Sequence, residues 1–265
     1  MQVIPLVNQK GGCGKTTTAV HLAGALAAAG DRVLLVDLDP QAHATASLGA
    51  APEREPSVAE VLMNGVPVRA AIQRAPGGFD LLPATEQLAE LEEAAEHRLL
   101  PERLLARALE DVRERYDRVL IDCPPRADGV LTANALRAAD MVLLVVETGT
   151  YALQGARKAM RILERFARDL EHPFHVRLVA TLFEPRSRLG REILVGMYSQ
   201  YGELLFDTVI RSSDELREAA AVAAPIQCVY PASAAARDFD ALASEVRASL
   251  ADVGRGGRVL SHQLR

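Results

Sequence analysis

Asn8-Gln9-Lys10-Gly11-Gly12-Cys13-Gly14-Lys15-Thr16-Thr17-Thr18 is the stretch on which the fold turns. An apolar run, Val3 to Val7, precedes it, and a helix-compatible run, Ala19 to Ala29, follows it. Strand, glycine-rich turn and helix in that order build a loop that holds phosphate. Gly11, Gly12 and Gly14 let the backbone curl until its N–H groups converge on an anion. The helix behind the loop adds unpaired N-terminal donors and the positive end of its dipole. Lys15 supplies a point charge for the outer phosphates, and the Thr16 hydroxyl is a ligand for Mg²⁺.

The loop departs from the common signature in one respect. The position five residues before the Gly14-Lys15 pair, usually glycine, is Gln9, and a second lysine, Lys10, stands at the mouth. Lys-Gly-Gly-x-Gly-Lys-Thr-Thr is the deviant Walker A motif, and in it the chain resembles the ParA/MinD superfamily, ParA-type partition ATPases in particular. The resemblance implies that residues Lys10, Gly11, Gly12, Cys13, Gly14, Lys15, Thr16 and Thr17 surround the phosphates of ATP or ADP. It also implies that Lys10 reaches across a nucleotide-sandwich dimer to the partner's phosphates.

Two further motifs fit. Val33 to Leu38 is an unbroken apolar run, as expected of a strand covered on both sheet faces, and it ends in Asp37-Leu38-Asp39-Pro40-Gln41. Carboxylates at the C-terminal edge of a parallel strand lie where open α/β sheets bind ligands. The pattern is similar to the family's first switch segment. By that resemblance Asp39 positions or activates the attacking water, and Asp37 is structural or stands behind the Mg²⁺. Ala42, His43 and Ala44 depart from the family's continuation, with Ala42 where it has glycine. Tyr116 to Pro125 reads as a strand that ends in Asp122 and runs on into Cys123-Pro124-Pro125, a Walker B element. Asp122 would hold a Mg²⁺-bound water. Cys123 reads as a small buried residue rather than a nucleophile.

The rest of the chain completes an α/β pattern. Strands are expected over Phe79 to Pro83, Asp140 to Val146, Val176 to Phe183 and Leu204 to Ile210. Helices are expected over Ser57 to Asn64 with Ser57 as N-cap, Glu86 to His97 with a solvated acidic face, Glu102 to Arg115, Leu153 to Phe166 and Phe239 to Leu250. Ala51 to Pro56 reads as a loop. In the resembled family the helix corresponding to Leu153–Phe166 helps to make the dimer interface. Thr181 to Arg186 follows the family's Thr-x-x-x-x-Arg, and Arg186, Arg188 and Arg191 form a basic cluster that the resemblance links to sequence-independent DNA binding; a merely solvated cluster is the alternative. After Ile210 the pattern is lost: Arg211 and Ser213 replace the proline and asparagine that flank adenine in the family, and Glu215 falls on a DNA-contacting arginine position. Pro225-Ile226 and Tyr230 to Ser233 rejoin it.

Bulk properties bound the function. The 265 residues read as one domain over 1–253 followed by a flexible, weakly basic tail over 254–265. At net charge −5 the whole surface is not a polyanion binder, so any nucleic-acid contact must be local. Cys13, Cys123 and Cys228 lack metal spacing, which fits a reduced cytoplasmic thiol state and argues against the iron–sulfur branch of the superfamily. No apolar run spans a bilayer, no signal peptide is expected, and the tail, with few apolar groups, reads as no membrane helix.

The expected architecture is therefore α/β: a mostly parallel twisted sheet with helices on both faces, a deviant-Walker P-loop NTPase. The expected activity is Mg²⁺-dependent ATP hydrolysis that switches a homodimer for chromosome or plasmid partition or cargo positioning. Its expected partners are nonspecific DNA and an activating protein of ParB type, in the cytoplasm and at the nucleoid, without stable membrane association. A MinD-like membrane-associated positioning ATPase and a nucleotide-dependent adaptor with little hydrolysis are the alternatives.

Overall fold

The computed structural model describes residues 1–50, 56–94, 101–126, 128–168 and 174–253. The tail over 254–265, the loop over 51–55 and the end of the acidic helix beyond residue 94 lie outside the described residues.

Strand β1 (Gln2–Val7) leads through the phosphate loop into α1 (Lys15–Ala28) and returns as β2 (Val33–Asp37). A short helix α2 (His43–Ser47), helices α3 (Val58–Asn64) and α4 (Val68–Ala71), strands β3 (Gln73–Arg74) and β4 (Asp80–Leu82), and helices α5 (Leu88–Ala94) and α6 (Leu104–Leu109) follow. The second half runs β5 (Arg118–Asp122), α7 (Val130–Arg137), β6 (Met141–Glu147), α8 (Ala152–Arg168), β7 (His175–Phe183), α9 (Arg188–Tyr201) and β8 (Leu205–Arg211), then α10 (Asp214–Ala221), α11 (Ile226–Val229) and α12 (Ala234–Val253).

Eight strands form one sheet in the order β3-β4-β2-β5-β1-β6-β7-β8, parallel throughout except where β3 pairs antiparallel with β4. The central strands β1, β2, β5 and β6 bury both faces, so their apolar runs are continuous. Successive residues nevertheless part company: Leu34 and Val36 join the core under α3, α6 and α8, whereas Val33 and Leu35 join the core under α1 and α12. The period of two sorts one strand into two cores. At the β8 edge, Glu245 of α12 accepts the N–H groups of Asp207 and Thr208, each at 2.8 Å, which occupies donors that an open edge would expose.

The helices follow local chemistry. Ser57 caps α3 as its sequence implies: its hydroxyl accepts the Ala59 N–H at 3.1 Å, and Glu60 accepts the Ser57 N–H at 2.8 Å, a capping box. The long helix expected over Glu102–Arg115 is instead a six-residue α6 flanked by tight 3₁₀ turns, Pro101–Arg103 and Glu110–Val112. Leu109 and Val112 are both buried three residues apart, a spacing that a 3₁₀ turn stacks on one face and that an α-helix also keeps on one side. In α5, Glu90 and Glu93 are exposed as a solvated face requires, but Glu92 is not: it binds Arg126 in the loop after β5 at 2.9 Å.

Helix α1 lies against α11 so closely that a Cβ on Gly24 would sit 2.9 Å from Pro225 Cβ. Beside this contact His21 is buried, packs on Phe239 and accepts the Ile226 N–H through Nδ1 at 3.0 Å. Burial lowers its pKa from 6.5 to about 4. The folded state therefore holds fewer protons than the unfolded chain between those values, so this contribution to stability is complete above pH 6.5 and is lost as pH falls toward 4. Between pH 7 and pH 5 the loss should be about 2 kcal/mol. Urea midpoints at the two pH values, compared between the original chain and His21→Gln, isolate it, because the raised Asp122 carboxyl acts with the opposite sign over the same range.

Candidate functional site

The C-terminal ends of the central strands meet at one edge, and there the sheet register brings the carboxylates together: Asp37 at the end of β2 lies opposite Asp122 at the end of β5, next to Leu6 of β1. The phosphate loop leaves β1 at the same edge. Gly14 takes φ 90° as the residue before α1, a left-handed conformation suited to glycine, and Gly12 takes φ 75°. The loop is braced from four sides. Asn8 Nδ2 donates to the Val145 carbonyl at 2.6 Å, and Asn8 Oδ1 accepts the Lys10 N–H at 3.1 Å. Cys13 Sγ donates to the Lys10 carbonyl at 3.3 Å, and the Thr181 hydroxyl of β7 donates to the Cys13 carbonyl at 2.7 Å. Cys13 is thus a buried spacer whose thiol burial pushes up, not a reactive group.

The two lysines occupy different settings. Lys15 is 7% exposed, and its Nζ lies 3.3 Å from the loop's own Lys10 carbonyl, inside the curl. Lys10 is exposed at the mouth and ion-pairs with Glu147 at the end of β6. The pairing of Glu147 with Lys10 follows from β6 lying beside β1.

The acids also divide. Asp37 is fully buried and spends its oxygens on its own chain: Oδ2 accepts the Thr45 N–H and hydroxyl at 2.8 and 2.7 Å, and Oδ1 accepts the Asp39 N–H at 3.2 Å. It pins the turn from Asp39 to Thr45. Within that turn Ala42 adopts φ 52°, the left-handed region in which an alanine costs ~1 kcal/mol or more relative to the usual helical well. Asp39 is 7% exposed, and its Oδ1 accepts the Gln41 N–H at 3.0 Å.

Asp122 is buried. The Thr16 hydroxyl donates to its Oδ2 at 2.6 Å, while its Oδ1 is buried with no hydrogen-bond partner among the described residues. Burial first, then the nearby Asp37 carboxylate, pushes the Asp122 pKa up. An uncompensated buried carboxylate oxygen beside a hydroxyl is a donor set for a hard divalent cation, so the residues present fit Mg²⁺. Cys123, next in the chain, is buried, and its thiol is held neutral chiefly by burial.

On the far side of α1 from this carboxylate pair a cavity of about 210 Å³ opens against Gly14 and Thr17 of the loop, Leu182 of β7, and Ser212 and Leu216 beyond β8. Arg211, also on its wall, is tied to Asp238 of α12 through Nε at 2.8 Å and Nη2 at 2.5 Å, and Ser213 caps α10 by accepting the Glu215 N–H at 3.2 Å. Arg186, Arg188 and Arg191 are exposed where β7 passes into α9; Arg188 pairs with Glu192 at 2.8 Å, and Arg191 donates to the Pro185 carbonyl at 2.6 Å. Among the described residues none of the three bonds to an acid of the phosphate site.

Residues 1–176 match the family model described as AAA domain. The chain is 40% identical to the chromosome-partitioning ATPase Soj of Thermus thermophilus, over 92% of this chain and 95% of the relative. It is 35% identical to the chromosome partitioning protein ParA of Caulobacter vibrioides, over 93% and 94%. The chain belongs to the ParA/Soj family of partition ATPases. A solved structure named cobyrinic acid a,c-diamide synthase from Mycobacterium smegmatis, with bound ATP analog and magnesium, superposes on this ParA-type chain with a TM-score of 0.82, 34% identity and coverage of 92% and 93%. Matches to the ParA and Soj relatives cover more than nine-tenths of this chain. Among the described residues no helix is long and apolar enough to cross a membrane.

Proposed function

We propose that this ParA-type chain hydrolyses ATP to ADP and phosphate with Mg²⁺, and that ATP closes two copies into a sandwich that drives DNA partition or cargo positioning. The observation that carries the reading is the pairing of a braced phosphate loop with the buried, half-satisfied Asp122 beside Thr16. Lys15, inside the curl, stabilises charge on the transferred phosphoryl group. Asp39 orients the attacking water. Thr16 would hold the metal ion directly and Asp122 through a metal-bound water, and the ion would neutralise charge on the outer phosphates. Gly11 to Thr17 wrap the phosphates, and the cavity beside Gly14 and Thr17 takes the nucleoside. Asp37 fixes the turn that carries Asp39.

The switch rests on Lys10. In the single chain it is neutralised by Glu147, so reaching a second copy's phosphates requires leaving that carboxylate. The exchange trades an exposed pair, worth little, for a multiply charged anion shielded from water. Lys10→Ala should leave ATP binding within about threefold and abolish ATP-dependent dimerisation, read by light scattering beside a nucleotide-binding titration. A variant that still dimerises with ATP removes Lys10 from the interface. The ATP-bound state engages nonspecific DNA at the nucleoid, an activating partner of ParB type speeds hydrolysis, and the protein works in the cytoplasm without stable membrane association. The names of the ParA and Soj relatives support this over the membrane-bound and adaptor alternatives.

A further inference from the structure

Helix α8 carries Arg157, Lys158, Arg161, Arg165 and Arg168 against one carboxylate, Glu164. At 3.6 residues per turn these five cations fall within an arc of about 100°, opposite the buried Ala156, Ala159 and Leu163. All five are exposed. Many other arginines of this acidic chain have a carboxylate partner. Arg32, Arg74, Arg137, Arg188 and Arg211 are each matched to a carboxylate. Among the described residues none of the five on α8 is; Arg157 reaches only the Gln200 amide and Arg168 only a carbonyl, both at 3.3 Å.

We infer that this stripe, rather than the arginines at the start of α9, is the track on which duplex DNA lies, held by its phosphate backbone. The inference rests on the DNA-bound state proposed above. From Arg157 to Arg168 the stripe is about 16 Å long at 1.5 Å per residue. At about 3.4 Å of duplex axis per phosphate on each strand, that length spans about five phosphates of one strand, enough for several of the five cations to meet one. The stripe shows no exposed aromatic ring, because Phe166 packs against the core. It therefore offers charge without stacking and suits a backbone read without regard to sequence rather than an unpaired strand. Stripe-to-stripe contact with a second copy of α8 is disfavoured by like charge, so any part of this helix in a dimer interface lies outside the stripe. A lipid surface is disfavoured because beyond Tyr151 the helix exposes no large apolar side chain to insert. At the start of α9 the cations are fewer, three against five, and Arg188 is already paired with Glu192.

The test is fluorescence anisotropy of a labelled duplex with the full chain and a non-hydrolysable ATP analog, from 50 to 200 mM salt. Arg161→Gln/Arg165→Gln should weaken binding ~10- to 100-fold near 100 mM salt and lower the salt slope by about 2, with basal ATP turnover and the thermal midpoint unchanged. Lys158→Gln/Arg168→Gln, on the same arc, should do the same and serves if the first variant folds poorly. Unchanged affinity and slope in both, with binding lost in Arg186→Glu, would move the track to α9 and leave the DNA reading standing. No binding by the unaltered protein with ATP at 50 mM salt defeats both. Capture by phosphatidylglycerol vesicles that depends on Arg161 and Arg165, with DNA binding indifferent to them, overturns the inference in favour of a lipid surface.

Discussion

Lys15→Ala should reduce ATP turnover by at least ~10²- to 10³-fold, the scale on which removing one group that stabilises transition-state charge is felt. The side chain is almost wholly buried, and its ammonium lies against the loop carbonyl of Lys10, at the centre of the backbone curl. Among the described residues no other cation shares that position, because Lys10 points outward to Glu147. The fold should survive the change. The loop is held by Asn8, Cys13 and Thr181, none of which bonds to the Lys15 amine. A steady-state phosphate-release assay reads the rate, and a thermal melt shows that the variant is folded. Turnover within a few-fold of the original in a folded variant would move the reacting phosphate away from this loop. Lys15→Arg should be nearly as slow, since a planar fork does not replace a compact point charge inside a tight curl.

Much of this arrangement could be read from the residues, and the failures have physical causes. The central strands were legible because a sheet covered on both faces leaves unbroken apolar runs, as in Val33–Asp37 and Met141–Glu147. Helix α3 was legible from one capping residue. Helices α7 and α10 were not anticipated. Helix α7 begins without a side-chain cap, and its Thr132 and Asn134, polar in sequence, are buried, which hides the periodicity. Helix α6 was overextended because its leucines fit two helical pitches equally well. At the site the loop residues announced themselves by glycine spacing, whereas their braces did not. Thr181 stands far along the chain from Cys13, and only the position of β7 two strands away from β1 brings them together. The pairing of Thr45 with Asp37 likewise depends on a turn containing an alanine in a glycine-like conformation, for which the residue types give no sign.

Asp39 presents the sharper test, because a neighbouring acid provides an internal comparison. Asp37 commits both oxygens to the Asp39–Thr45 turn, and replacing it should loosen the whole segment. Asp39 receives one hydrogen bond, from the Gln41 N–H to Oδ1, and among the described residues its Oδ2 accepts none, so a carboxylate oxygen stands at the sheet edge next to the phosphate loop. Asp39→Ala should thus keep nucleotide affinity within about threefold while turnover falls ~10²- to 10⁴-fold, the range for loss of a group that manages a proton or a water. With hydrolysis blocked and Lys10 intact, the ATP-bound two-copy state should accumulate and persist, visible as a doubled mass by light scattering with ATP but not with ADP. Asp39→Asn keeps an oxygen for Gln41 and removes only the negative charge. If it is as slow as the alanine variant, the carboxylate acts on the water; if it recovers most of the activity, Asp39 serves to shape the turn. Failure of Asp39→Ala to bind ATP, in a folded chain, would assign the residue to nucleotide binding instead.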